Sequence, residues 1–196
     1  MTSTLTTTTE MTREVDGLTL PTAGTFALDK SHSQVGFLVR HLMVSKVRGR
    51  FTDFEGALVV TDDPAESSVE VTIQAGSINT NDENRDNHVR TNDFLSVEEF
   101  PTLTFRSTKV DLASSGDWKV TGDLTVRGVT RPIVLDVEFE GLIQDPWGNQ
   151  RLGFTASAEI NRDDFGVSFN AALETGGFVI GSKVKLEIEA EAVRQA

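Results

Sequence analysis

Residues 31–56, SHSQVGFLVRHLMVSKVRGRFTDFEG, constrain the fold more than any other stretch of this chain. Val35, Phe37 and Val39 alternate with Gly36, Leu38 and Arg40, the period of two that an extended backbone imposes on its side chains. The stretch reads as a long strand that is apolar on much of both faces, because Leu38 and Leu42 ask for a second apolar environment beside that of Phe37 and Val39. One face packs on protein and the other is available to a ligand. After Ser45 the chain turns, Phe51 and Phe54 follow, and Gly49 and Gly56 stand where a strongly bent barrel strand needs room.

The same alternation recurs downstream. Val69, Val71, Ile73 and Ala75 oppose Glu70, Thr72 and Gln74; Ile133, Leu135, Val137 and Phe139 oppose Asp136, Glu138 and Glu140. Leu103 with Phe105, Val120 with Leu124 and Val126, Leu152 through Ile160, and Val184 through Ala190 repeat the pattern. The chain is therefore predicted to be all-β. Successive antiparallel strands remove their open edges most simply by closing into an extended barrel, here of about eight strands. A β-sandwich fits the pattern nearly as well, and the length of the strands favours the barrel.

Two segments interrupt the strands. The first, residues 77–101, is rich in Asn and Asp, and its spacing from Asn84 to Phe94 predicts a short helix with Val89 inward and Asn81 or Asn84 as cap. The second, residues 160–181, interleaves Phe165, Phe169 and Phe178 with glycines 176 and 177, as a lid over a barrel mouth or a plug in its end. Gly128 and Pro132 read as turn chemistry.

A chain of 196 residues is expected to form one domain. Its threonine-rich opening has too little apolar surface to order itself, so residues 1–20 are read as a flexible segment, the first 18 or so mobile, ahead of a single domain over 21–196. No basic stretch followed by an apolar run is visible, which predicts a cytoplasmic protein with no stable membrane insertion, export by a non-obvious route being the alternative. The net charge of −12 repels phosphate backbones, so nucleic acid is excluded as a partner. With no cysteine, a thiolate nucleophile and a Cys-ligated metal are excluded as well.

Ser31, His32 and Ser33 place hydroxyls beside an imidazole, but neighbours on a strand point to opposite faces, and no G-x-S-x-G, P-loop or H-E-x-x-H motif occurs. An enzyme is not expected. His32, His41 and His88 could meet on a metal, although His32 and His41 have opposite strand parity; the expectation is a hydrogen-bonding or head-group role, with no metal and no cofactor. Arg85, Asp86 and Arg90, and Arg162 with Asp163 and Asp164, either contact a ligand head or pin loops through ion pairs and caps. The twelve phenylalanines, with two tryptophans and no tyrosine, either fill a core or line a cavity. A packed barrel that binds a protein partner is the third class open at this point.

Several motifs, taken in order, resemble the YceI-like family: FALDKSHS at 26–33, VRHL at 39–42, VRGRF at 47–51, SINT at 77–80 and NRDNHVR at 84–90. FPTLTFRST at 100–108, GDLTVRGVTRP at 122–132 and INRDDFG at 160–166 extend the resemblance over nearly the whole chain after Gly24. It implies a lipocalin-like barrel that binds a polyisoprenoid, an isoprenoid quinone or a similar amphipathic lipid for storage, transport or sensing. It also implies a cavity lined by Phe37, Val39, Phe51, Phe54, Phe105, Val126, Phe139 and Phe165, with His32, His41, Arg85, Asp86 and His88 at a polar end. A homodimer formed by exchange of the lid segment stays open. Burying a methylene group is worth ~0.8 kcal/mol, so affinity would come from the tail and direction from the head.

Overall fold

The computed structural model describes residues 11–113, 117–172 and 178–196. Its strands, in chain order, are β1 (Thr12–Val15), β2 (Leu18–Pro21), β3 (Gly24–Leu28), β4 (Gln34–His41), β5 (Ser45–Phe51), β6 (Phe54–Val60), β7 (Ser68–Gln74) and β8 (Ile78–Asn79). After the helix α1 (Glu83–Arg90) come β9 (Thr102–Leu112), β10 (Trp118–Val126), β11 (Val129–Gln144), β12 (Gln150–Asn161) and β13 (Ile180–Arg194). Strand β11 shows why the sequence takes this form. Ile133, Leu135, Val137 and Phe139 are half-buried on one face, while Asp136, Glu138 and Glu140 are exposed on the other.

Eight antiparallel positions close into a barrel in the order β3, β6, β7, β9, β10, β11, β12, β13, with β13 returning to β3. The pairing that excludes a sandwich is β12 with β13, which runs unbroken from Arg151↔Val193 to Asn161↔Lys183. Strand β13 serves two partners on its other side, β3 near its C-terminal end (Ala192↔Leu28) and β4 further back (Leu186↔Phe37). Beyond them β5 pairs with β4 and β6 with β3, so the wall is built from two short strands end to end where β13 is one. At about 3.3 Å per residue the fifteen residues of β13 span roughly 50 Å, which makes the interior deep.

One end of the barrel is sealed by Phe26, Leu152 and Ala192, all 0–1% exposed, with Leu28, Leu58 and Leu142 around them. The other end is built from α1, the loop after it and the 3-10 turn Arg162–Phe165.

Four details differ from the sequence reading. Residues 12–20, expected in a flexible segment, form with Pro21 the β1–β2 hairpin: Asp16 and Gly17, both at positive φ, make the two-residue turn that right-twisted strands prefer. Arg13 ties this hairpin to the barrel by donating to the carbonyls of Thr61 and Asp62, and braces it internally by donating to that of Pro21. The second apolar environment read for Leu38 and Leu42 is not there, since Leu38 lies between Arg48 and Lys185 on neighbouring strands and Leu42 sits 39% exposed in the turn before β5. The helix stops at Arg90 and is capped by Asp82, whose Oδ1 accepts from the Arg85 amide at 3.0 Å, rather than by Asn81 or Asn84. Pro132 lies within β11 rather than in the turn, at a stretch that pairs with β10 alone, where a missing N–H costs no ladder bond. Glycines 176 and 177, read as part of a lid, lie outside the described residues.

Candidate ligand-binding cavity

The barrel encloses a cavity of about 600 Å³. That is within the ~300–1,000 Å³ typical of sites for small organic ligands. The inward faces of β4, β5, β6, β9, β10 and β11 bring Phe37, Val39, Phe51, Phe54, Phe105, Val126 and Phe139 to its wall. Phe165, 2% exposed in the turn after β12, closes one end. Period-two alternation divides each strand into two faces, and closure of the barrel decides which of them is the inside. Phe94 and Leu95, both 8% exposed, also line the cavity and were missed. They follow α1 in a loop, where no periodicity reports facing; the apolar pair inside an otherwise polar TNDFLS run was the available signal.

Two of the rings lie across glycines on the next strand. A Cβ on Gly49 would come within 2.2 Å of the Phe37 ring, and one on Gly122 within 2.5 Å of the Phe105 ring. The missing side chains let the rings lie against the wall, which keeps the middle of the barrel open.

Of the five residues proposed for a polar end, His41, Arg85 and His88 border the cavity. His88 sits on α1 with its ring edge-on to Phe94 and Phe169, and its Nε2 is 2.8 Å from Asp93. Arg85 donates to the Thr80 hydroxyl and carbonyl at 2.7 and 2.9 Å. Asp86 is a correction: it is buried, takes the Thr80 amide and hydroxyl at 2.8 and 2.6 Å, and stands behind the wall as a clamp on the start of α1. Arg90 is a similar clamp, donating to the carbonyls of Gly76 and Ile78.

His32 is the second correction, for it stands outside the barrel in the connection between β3 and β4. There Arg151 of β12 bonds Asp29 at 2.6 Å, Asp145 at 3.1 Å and Glu191 at 3.0 Å, while His32 Nδ1 lies 2.9 Å from Asp29. The Ser31 hydroxyl, then Arg151 and His32, hold Asp29 well below the usual carboxylate range. Burial pushes Asp145 up, but donors from Asn149, Arg151 and Trp147 outweigh it and the net direction is down. Ser31 and Asp29 both meet the same nitrogen of His32, and Ser31 donates to Asp29 at 2.5 Å. A nucleophile and an orienting acid need opposite nitrogens of the ring, so this group is not arranged as a catalytic triad. Asp29, His32 and Glu191 offer ligand atoms within 4.8 Å of one another, yet the Arg151 guanidinium already occupies both carboxylates. Among the described residues the three histidines do not come together.

Replacing Arg151 with methionine is expected to lower stability at pH 7 and to flatten its acid dependence. Carboxylates depressed in the fold contribute stability that is complete above about pH 4 and is lost as pH falls through their folded values. The gap between parent and variant urea midpoints should therefore narrow from pH 7 to pH 3; an unchanged gap would refute the network's role.

A closed eight-strand barrel around an apolar hollow is a calyx, an architecture with room for one small ligand. The profile of the YceI-like domain matches residues 26–192, and the chain belongs to that family. A UPF0312 protein of Staphylococcus aureus (strain N315) is 42% identical over 168 residues, covering 85% of this chain and 95% of that protein. The crystal structure of the Campylobacter jejuni YCEI protein matches with a TM-score of 0.69 at 33% identity, covering 86% of this chain and 97% of that one. A polyisoprenoid binding domain from Saccharophagus degradans shares the fold at a TM-score of 0.66 and 18% identity, over 87% and 98% of the two chains. Among the described residues, no helix is long and apolar enough to cross a membrane.

Proposed function

We propose that this protein binds the tail of a long-chain isoprenoid or similar amphipathic lipid inside the barrel, to store, carry or sense it. The observation that carries the reading is the 600 Å³ cavity walled by phenylalanine and branched aliphatic side chains. Such a void costs stability when empty, because its lining atoms lack partners, and an apolar guest restores those contacts. Each five-carbon isoprene unit buried would contribute roughly 3–4 kcal/mol before the costs of association. A lone neutral hydrogen bond contributes about 1 kcal/mol, so the tail dominates affinity. Phe37, Val39, Phe51, Phe54, Phe105, Val126, Phe139 and Phe165 are the proposed tail contacts, and the YceI-like family membership supports the same reading.

Organic extraction of the purified protein followed by mass spectrometry is expected to release about one long-chain lipid per chain. Delipidated protein should take up geranylgeraniol and become more resistant to urea. Protein that carries no lipid and takes up neither an isoprenoid nor a fatty amide after delipidation would overturn the reading.

A further inference from the structure

The chain carries thirty acidic residues against eighteen basic ones, yet among the described residues the cavity reverses that balance. Arg13, Arg40, His41, Arg85, His88 and Arg162 border it, and no aspartate or glutamate does. Arg162 is the least ordinary of them. It opens the 3-10 turn after β12, is 7% exposed, and forms no ion pair among the described residues, where Arg151 forms three. Its Nε donates to the Gly181 carbonyl at 3.0 Å, and its Nη1 to those of Val167 and Phe169 at 2.5 and 3.0 Å.

Nη2 has no protein acceptor among the described residues. No fully buried side-chain nitrogen or oxygen among them is left without a partner, so the unbonded Nη2 keeps some accessible surface at the cavity that Arg162 borders. Carbonyls orient a guanidinium without neutralising it, the neighbouring Asp163 carboxylate acts on it through space only, and a buried charge with no bonded counter-charge is costly. Burial pulls the Arg162 pKa down, yet arginine keeps its proton in proteins. Arg85 shares the feature in milder form, half-buried, with its guanidinium bonded among the described residues to Thr80 alone.

We infer that the end of the cavity at Arg162 receives an oxyanion, the phosphate or carboxylate head of an amphiphile whose tail lies among the rings. The inference rests on the lipid-binding reading and adds the chemistry of the head. The planar fork of Arg162 is already held by three carbonyls, so its free Nη2 meets the anion with little further ordering. The acid-rich exterior repels free anions, and the apolar tail supplies the affinity that brings this one in.

The test holds the tail constant and changes the head. Delipidated protein is titrated with geranylgeranyl monophosphate and with geranylgeraniol; the phosphate is expected to bind at least about tenfold more tightly, the range for hydrogen bonds to charged groups. In Arg162→Gln the phosphate should weaken to the level of the alcohol, with the alcohol unchanged. Equal affinities in the parent protein would overturn the inference, as would a preference that survives Arg162→Gln. Failure of both ligands to bind would overturn the lipid-binding reading on which it stands. Inorganic phosphate at equal concentration is expected not to displace the alkyl phosphate, and displacement would overturn the head-group assignment. Should Arg162→Gln not fold, a crystal structure of the parent with geranylgeranyl monophosphate decides: phosphate oxygens within hydrogen-bond reach of Nη2 are expected, and a phosphate elsewhere refutes the site.

Discussion

A glutamate in place of Phe105 is expected to reduce lipid uptake at least about a hundredfold while leaving a folded barrel. Phe105 is 7% exposed, lines the cavity from β9, and pairs in register with Leu124 on one side and Val71 on the other. A carboxylate there would meet aliphatic neighbours and no cation in register with it. An isolated buried charge costs several kcal/mol, so the site would protonate the new acid or admit water. Either response removes the dry apolar wall that the proposed tail contacts require. Fluorescence titration with a long-chain probe, beside far-UV circular dichroism, checks both halves of the expectation. A folded Phe105→Glu protein that binds like the parent would place the ligand elsewhere.

Replacing Phe26 with alanine should act in the opposite sense, lowering stability by about 3–5 kcal/mol, the usual range for a buried phenylalanine, with little effect on binding by the molecules that stay folded. Phe26 is 0% exposed, packs with Leu152 and Ala192, and carries the Arg194 guanidinium 5.5 Å from its ring centre. It does not border the cavity. Urea unfolding measures the loss, at roughly 1–3 kcal/mol per molar of denaturant. A loss below about 1 kcal/mol would mean that this seal is not what closes the barrel.

The two substitutions separate what the sequence made visible from what it hid. The wall was legible, because closure turns every alternating strand into one inward and one outward list, and β11 alone shows both. The ends were not. In the sequence, Arg162 with Asp163 and Asp164 reads either as a ligand-head contact or as ion pairs and caps; in the fold its hydrogen bonds go to carbonyls of residues 167, 169 and 181. Arg127 likewise reaches Phe94 and Gly166 from the β10–β11 turn. Contacts of that range depend on which loops the closed sheet brings to one rim, and no local period encodes it. The β1–β2 hairpin was hidden differently: an Asp-Gly turn was present at 16–17, but the threonine-rich run before it dominated the compositional reading.

Strand β13 bonds to β3, β4 and β12, so three edges wait on the last strand of the barrel. A nascent chain must hold those edges open until Ile180–Arg194 has emerged, and the joining pairs residues as distant in sequence as Phe26 and Arg194. Such far-apart pairing makes folding slow and leaves unsatisfied strands exposed to other chains meanwhile. A guest that fits the finished hollow would favour the completed ring over its open precursor, and the cargo would then act as a chaperone for its own container.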